Sequence, residues 1–266
     1  MRLVPLPMSI LIHPGPPLVV GHRGAAAVLP ENTLPSFAHA LELGVDAVEF
    51  DVHVTADGVA VVHHDPTTGR TCGIDLPIAT SRIADLRALD AGTTFHGGDG
   101  RPGPAAIPLL DEVLELTGDT PVIIECKTVA AAPVVLQALR RHGAEGRALT
   151  GSFLDGAMQV VRHAGQPSGA SRRDMIRLLL RRLGRRAPSR LPYAAMCLPE
   201  SSSGVRLPLA VFAAWGQRLG IPVHVWTVNT AADATRLWDL GVTGIISDDP
   251  ATILAARTAW RTRRPA

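Results

Sequence analysis

Lysine is almost missing from this chain. Of its 26 lysine and arginine side chains, Lys127 alone is an ammonium and every other one is a guanidinium. A sequence so biased toward arginine that keeps one lysine, inside Glu125-Cys126-Lys127, points to a place where a compact point charge fits and a planar fork does not. Aromatic residues are scarce too, 4% of the chain with a single tyrosine, so the core has to be aliphatic. The three cysteines, Cys72, Cys126 and Cys197, are odd in number and lack metal-like spacing, and they read as buried structural thiols. Neither sign of charge prevails: the net charge is +2 at pH 7, which gives no footing to nucleic acid as a partner. Apolar residues reach 46%, yet no run is long enough to span a bilayer. The stretch Met1–Pro17 is mildly apolar but broken by Pro5, Pro7, Pro14, Pro16 and Pro17. A signal peptide wants an unbroken apolar region, so this tail reads as the leader of a cytoplasmic protein, with Met8 as a second candidate start.

What the chain does contain is a regular alternation. Short strand-like runs occur at Leu18–Gly21, Ala47–Asp51, Val122–Glu125, Ala148–Ser152, Pro167–Ala170, Tyr193–Leu198, Val223–Val228 and Gly244–Ser247. Helical patterns follow at Leu34–Leu43, Pro108–Leu116, Ala131–Arg141, Leu154–Ala164, Arg172–Leu183, Pro208–Leu219, Ala231–Leu240 and Ala251–Trp260. Eight strand–helix pairs predict an α/β fold, a (β/α)8 TIM barrel over residues 18–266. The fifth strand is small and polar. An insertion at 52–107 follows strand two, too long for an ordinary βα loop. It opens as a hairpin turning at Asp57-Gly58, continues through a helix at Ser81–Leu89 capped by Ser81, and ends in a mobile loop at Gly97–Gly103.

On this map the polar residues converge. Strand two ends in Glu49-Phe50-Asp51, and alternation projects both acids to one face. His22 and Arg23 follow strand one, Glu125 and Lys127 end strand three, and His64 arrives from the inserted hairpin. All fall at the C-terminal end of the barrel, where such folds keep their active sites. Glu49, Asp51 and Glu125 make an oxygen-rich site suited to Ca²⁺ or Mg²⁺ rather than zinc. Arg23 and Lys127 can flank a phosphate, and His22 and His64 can serve as acid and base of an in-line displacement.

At these residues the chain resembles the glycerophosphodiester phosphodiesterase family. The matching segments are His22-Arg23-Gly24, Pro30-Glu31-Asn32-Thr33, Glu49-Phe50-Asp51-Val52, His64-Asp65 and Ile124-Glu125-Cys126-Lys127. Val225-Trp226-Thr227-Val228-Asn229 and Gly244-Ile245-Ile246-Ser247-Asp248 extend the likeness to the end of the chain. The resemblance implies the same barrel with its insertion, metal ligation by Glu49, Asp51 and Glu125, an acid/base pair of His22 and His64, and phosphate contacts from Arg23 and Lys127. It also implies cleavage of a glycerophosphodiester substrate to glycerol 3-phosphate and an alcohol. In one route the neighbouring glycerol hydroxyl attacks first, giving a cyclic phosphate that water opens.

Other residues carry two readings. Trp226 is core or a substrate wall, the wall being preferred, and Phe153 is a second candidate for that wall. Glu31, Asn32 and Thr33 read as a helix start with Asn32 or Thr33 capping, Asp65 as orienting His64, His53 as a solvated rim residue and Asp248 as a brace of the barrel rim. The chain departs from the family pattern between Gln166 and Pro192, where an Arg-rich helix, Arg172 to Arg186, takes over. It is either an outer barrel helix with a solvated basic face or a peripheral contact with anionic lipid. The rival function is a phospholipase D-like enzyme acting on lysophospholipids or sphingolipids at a membrane surface. A non-catalytic binding barrel is disfavoured, because no acid or histidine of the site is missing.

Overall fold

The structure, a computed structural model, describes residues 9–97, 103–184, 187–202 and 204–263. Met8, the inner part of the loop expected at Gly97–Gly103, and Arg185 and Arg186 lie outside the described residues.

Strand β1 (Leu18–His22) leads into helix α1 (Leu34–Glu42), and β2 (Ala47–Val54) follows. Thr33 caps α1 by accepting from the Ser36 amide. β2 turns back at Asp57-Gly58 into β3 (Ala60–Val62), antiparallel, with Val52 opposite Val62. Two short helices, α2 (Gly69–Cys72) and α3 (Ile83–Arg87), precede α4 (Leu110–Thr117). The alternation resumes with β4 (Val122–Cys126), α5 (Ala131–Arg141), β5 (Ala148–Gly151), α6 (Asp155–His163), α7 (Arg172–Leu183) and β6 (Met196–Pro199). A small hairpin of β7 (Ser201–Ser202) and β8 (Val205–Arg206) comes before α8 (Leu209–Leu219). Then β9 (Val223–Trp226), α9 (Ala231–Asp239), β10 (Gly244–Ser247) and α10 (Pro250–Thr262) complete the chain.

Seven parallel strands run in the order β5-β4-β2-β1-β10-β9-β6. The place expected for a further strand, at Pro167–Ala170, holds only bridging residues: Ser168 pairs with Thr150 and Gly169 with Ala195. The Gly169 amide donates to the Thr150 carbonyl at 2.9 Å and the Ala194 amide to the Ser168 carbonyl at 2.8 Å. Proline supplies no amide hydrogen, and serine and glycine pack poorly on a pleated surface, so the segment spans β5 and β6 without becoming a full strand. The result is a TIM barrel, nearly closed.

Cores of mostly aliphatic residues, with a few buried aromatics, lie between strands and helices, one around Phe37, Phe50 and Ile124, the other around Phe212, Leu237 and Ile245. The insertion has its own small core of Val61, Cys72, Ile78, Leu86, Ala91 and Ile107. Its helix α3 is shorter than expected and is not capped by Ser81. The Ile83 amide donates instead to the Asp57 carboxylate at 3.1 Å, while the Ser81 hydroxyl donates to the Pro77 carbonyl at 2.9 Å. The residue at the hairpin turn therefore holds the helix start, a pairing across 26 positions that local spacing does not reveal.

Within the expected leader, Ile10–Ile12 forms a single 3-10 turn. Leu11 is fully buried inside the ring among Leu18, Ala47, Ile123, Leu149 and Ala195. The His224 Nε2–H donates to the Leu11 carbonyl at 2.9 Å and fixes this plug. Leu11→Ala is expected to cost about 2–5 kcal/mol of unfolding free energy through the cavity it leaves. Urea denaturation measures it, and a midpoint equal to that of the parent would show that the turn does not seal the barrel.

Candidate active site

Strand register assembles the site. Parallel pairing sets His22 beside Glu49 across β1 and β2, and Asp51 beside Glu125 across β2 and β4. One oxygen from each of Glu49, Asp51 and Glu125 lies within 4.8 Å of the others. Glu49 and Asp51 are only 6% and 1% exposed. His22, Arg23, Glu49, His64, Glu125, Lys127, Phe153 and Trp226 line one cavity at the barrel mouth. Asp51 sits just behind that lining, held on several sides. Lys127 Nζ lies 2.8 Å from its Oδ1, Asn32 Nδ2–H donates to its Oδ2 at 2.9 Å, and Arg23 Nε approaches Oδ2 at 3.3 Å. Lys127 also reaches Glu125 Oε1 at 3.0 Å, so the single ammonium bridges two acids.

The backbone after β1 is bent to serve this arrangement. Arg23 and Asn32 both take left-handed φ, 51° and 57°, an uncommon choice for residues with side chains. The turn aims the Arg23 amide at Glu49 Oε2, 3.3 Å away. Gly24 has φ 92°, and a Cβ there would come 2.4 Å from the Ser36 hydroxyl, so only glycine fits.

Each of the two imidazoles lining the cavity is gripped from behind. His22 Nδ1 lies 2.6 Å from Asp248 Oδ1, and its Nε2 faces Glu49 Oε2 at 3.8 Å. His64 Nδ1 lies 2.6 Å from Asp65 Oδ1. A carboxylate on Nδ1 fixes tautomer and ring orientation and leaves Nε2 for proton exchange. Behind these pairs runs a second chain of contacts. Arg70 Nε–H donates to Asp65 Oδ2 at 2.5 Å, and its Nη1 and Nη2 donate to Glu31 at 2.8 and 2.7 Å. Glu31 in turn accepts from Arg23 Nη1 at 2.8 Å. His64, Asp65, Arg70, Glu31 and Arg23 thus form one connected file.

Several sequence expectations change here. Asn32 does not cap a helix; it ties the turn to Asp51. Glu31 is not merely a helix start, since it joins two arginines. Asp248 does more than brace the rim, because it holds His22. His53 is not solvated: it is buried, and its Nε2 meets the His64 carbonyl at 3.1 Å. Phe153 and Trp226 do meet as a pair, ring centroids 6.0 Å apart and planes at 78°. Cys197, expected to be an inert core thiol, lines the cavity, and burial pushes it up to about 12.

The electrostatics follow from crowding. Burial and the Asp51 charge push the Glu49 carboxyl up to about 8. Burial opposes ionisation of Asp51 as well, but Lys127 and Arg23 outweigh it and hold that carboxylate below its usual range. Glu125 is raised by burial against the pull of Lys127. Burial lowers the His22 imidazole, yet Asp248 and Glu49 reverse the direction and leave it raised. His64 is lowered, chiefly by burial. Three convergent carboxylates, with no sulfur or imidazole among them, suit a hard divalent cation. The buried Arg23 Nε makes no hydrogen bond among the described residues, though it lies in ion-pair range of Asp51 Oδ2.

Known proteins share this architecture. A sequence profile of the glycerophosphoryl diester phosphodiesterase family matches residues 22–165 and 170–252. A glycerophosphodiester phosphodiesterase of Caldanaerobacter subterraneus subsp. tengcongensis is 29% identical over 247 residues, covering 89% of this chain and 96% of that one. A lysophospholipase D of Homo sapiens is 25% identical over 268 residues, covering 87% and 83% respectively. Among solved structures, an Oleispira antarctica phosphodiesterase in complex with the product sn-glycerol-3-phosphate superposes with TM-score 0.74 at 25% identity, covering 90% of this chain and 96% of that one.

A raised Glu49 sets the sign of a pH effect. Below about 8 this carboxyl is mostly protonated, and a cation held by it would have to displace that proton. Metal affinity should therefore rise as pH is brought up toward about 8 and level off above it. Near pH 7 calorimetry in buffers of different ionisation enthalpy should show about one proton released per cation. Binding without proton release would remove Glu49 from the ligand set.

Proposed function

The chain belongs to the glycerophosphoryl diester phosphodiesterase family, and on that footing we propose that it hydrolyses glycerophosphodiesters, the deacylated phospholipids, to sn-glycerol 3-phosphate and an alcohol. The observation that carries this reading is the convergence of Glu49, Asp51 and Glu125 within 4.8 Å, in a mouth also lined by His22 and His64. Glu49, Asp51 and Glu125 are the residues that would hold the divalent cation on which this family depends, Ca²⁺ or Mg²⁺ by donor type. When bound, the cation supplies Lewis acidity and charge neutralisation at the phosphate. Arg23 and Lys127 place fixed positive charge against phosphate oxygens as negative charge grows there. One imidazole takes the proton of the attacking glycerol hydroxyl, and the other protonates the departing alcohol oxygen as its bond to phosphorus breaks. Water then opens the cyclic phosphate with the two proton transfers reversed. Phe153 and Trp226 pack against the substrate's carbon skeleton. Three cysteines without disulfide partners fit a reducing compartment, and the cytoplasm is the proposed location.

A second reading keeps the chemistry and changes the substrate. Val129, Phe153 and Leu154 follow β4 and β5 at the mouth and are all exposed, an apolar rim able to accept the acyl chain of a lysophospholipid. Comparing kcat/KM for glycerophosphocholine and lysophosphatidylcholine separates the two. The first reading expects the glycerophosphodiester to be preferred, with glycerol 3-phosphate released, EDTA abolishing turnover and added cation restoring it. His22→Ala and His64→Ala should each lower kcat by about 10²–10⁴-fold with the fold intact. Near-parental turnover in His22→Ala would overturn the acid/base assignment.

Arg70 contacts neither substrate nor cation in this scheme, yet it anchors both Asp65 and Glu31. Arg70→Met is expected to reduce kcat by about 10–100-fold, as loss of an orienting partner does. KM and metal affinity should change far less, and the pH profile of kcat should shift as Asp65 loosens its hold on His64. An unchanged profile would make Arg70 an ordinary surface ion pair.

A further inference from the structure

Helix α7 is built unlike an ordinary outer helix of a barrel. Between Gln166 and Pro199 the sequence holds eight arginines and one acid, Asp174. That acid is withdrawn from the surface: it is 3% exposed, accepts from Arg162 Nη2 at 2.6 Å, and closes a capping box with Ser171. Leu178 packs inward, as a barrel helix requires. Ile176, Leu180 and Leu183 do not. They are 51%, 61% and 79% exposed and recur at intervals of four and three, so they form one stripe on the outward face. Arg172, Arg173 and Arg177, all exposed, stand three or four residues from members of that stripe and border it. A solvated basic face would not place three large aliphatic side chains among its arginines. Arg177 lies 3.7 Å from Asp174 Oδ1, while Arg172 and Arg173 stand at the exposed start of the helix. Apolar residues bordered by such a basic margin complement a surface that is apolar within and anionic at its boundary.

The start of this helix lies on the side of the mouth. The Ser171 hydroxyl donates to Asp155 Oδ1 at 2.7 Å, tying the start of α7 to the start of α6. Immediately before α6 come the exposed Phe153 and Leu154.

We infer that the outward face of α7 docks on an anionic phospholipid bilayer, with Ile176, Leu180 and Leu183 entering the headgroup boundary and Arg172, Arg173 and Arg177 facing lipid phosphates. This goes beyond the proposed reaction and does not rest on it, so its test reads binding rather than turnover. The full chain is co-sedimented with vesicles of phosphatidylcholine alone and of phosphatidylcholine mixed with phosphatidylglycerol, at low and high salt. Binding should be confined to the mixed vesicles and weaken with salt. Arg172→Ala and Arg173→Ala should each weaken it about fivefold. The pair Leu180→Ser and Leu183→Ser should weaken it by about tenfold or more, with Tm unchanged as a control for folding. No sedimentation with mixed vesicles at low salt would overturn the inference. So would binding that ignores the leucine substitutions, or equal salt-sensitive binding to duplex DNA, which marks a general polyanion surface.

Discussion

Two acids two positions apart on a buried strand set the terms for everything around them. Like charges about 5 Å apart, at an effective dielectric near 20, repel by roughly 3 kcal/mol, and burial adds to the cost of ionising either one. The protein answers asymmetrically. Asp51 is kept charged by Lys127 and Arg23, whereas Glu49, facing the cavity with His22 Nε2 3.8 Å from its Oε2, is pushed toward its neutral form. Asp51 is thus a fixed part of the frame and Glu49 the adjustable part. A cation held between them would have one settled charge and one that becomes available as its proton leaves.

The same frame explains why the imidazoles come from such distant parts of the chain. His22 ends the first strand and its carboxylate partner follows the last, a separation of 226 residues that only closure of the ring can remove. Pairing of Gly21 with Ser247 performs that closure, so the orientation of His22 depends on β1 meeting β10. His64 has a local partner in Asp65, but the hairpin that carries it reaches back to the body through Arg70 and Glu31. The insertion therefore needs its own small core: a loop without one would not hold His64 against a fixed strand end.

Most of the barrel was legible because its strands are short aliphatic runs between turn residues, and alternation alone placed Glu49 and Asp51 on one face. The acids, both histidines, Arg23 and Lys127 were legible for a related reason, since each follows directly from a strand end or a turn. What the sequence hid were partners without local spacing. Asn32 reaches Asp51 across 19 positions and Arg70 reaches Glu31 across 39. Asn32 also looked like a cap, because asparagine before a helix usually is one. In the structure Thr33 takes that task, and the left-handed turn at Asn32 frees its amide for the site. His53 does share the face of Glu49 and Asp51, but the loop carrying His64 folds over it, so it is buried where a solvated rim had been expected.

Lys127 brings the two levels together. A guanidinium at this position would bind one carboxylate through two nitrogens and fill the space in front of it. The ammonium instead contacts Asp51 and Glu125 through a single atom, at 2.8 and 3.0 Å, and leaves the second oxygens of both carboxylates to other partners. Its backbone is pinned as well, the Lys127 amide donating to the Val52 carbonyl at 3.0 Å on the strand that carries the acids. A compact point charge can neutralise two acids while occupying one oxygen of each. The one lysine of a chain that otherwise uses arginine thus stands where a point charge meets two acids.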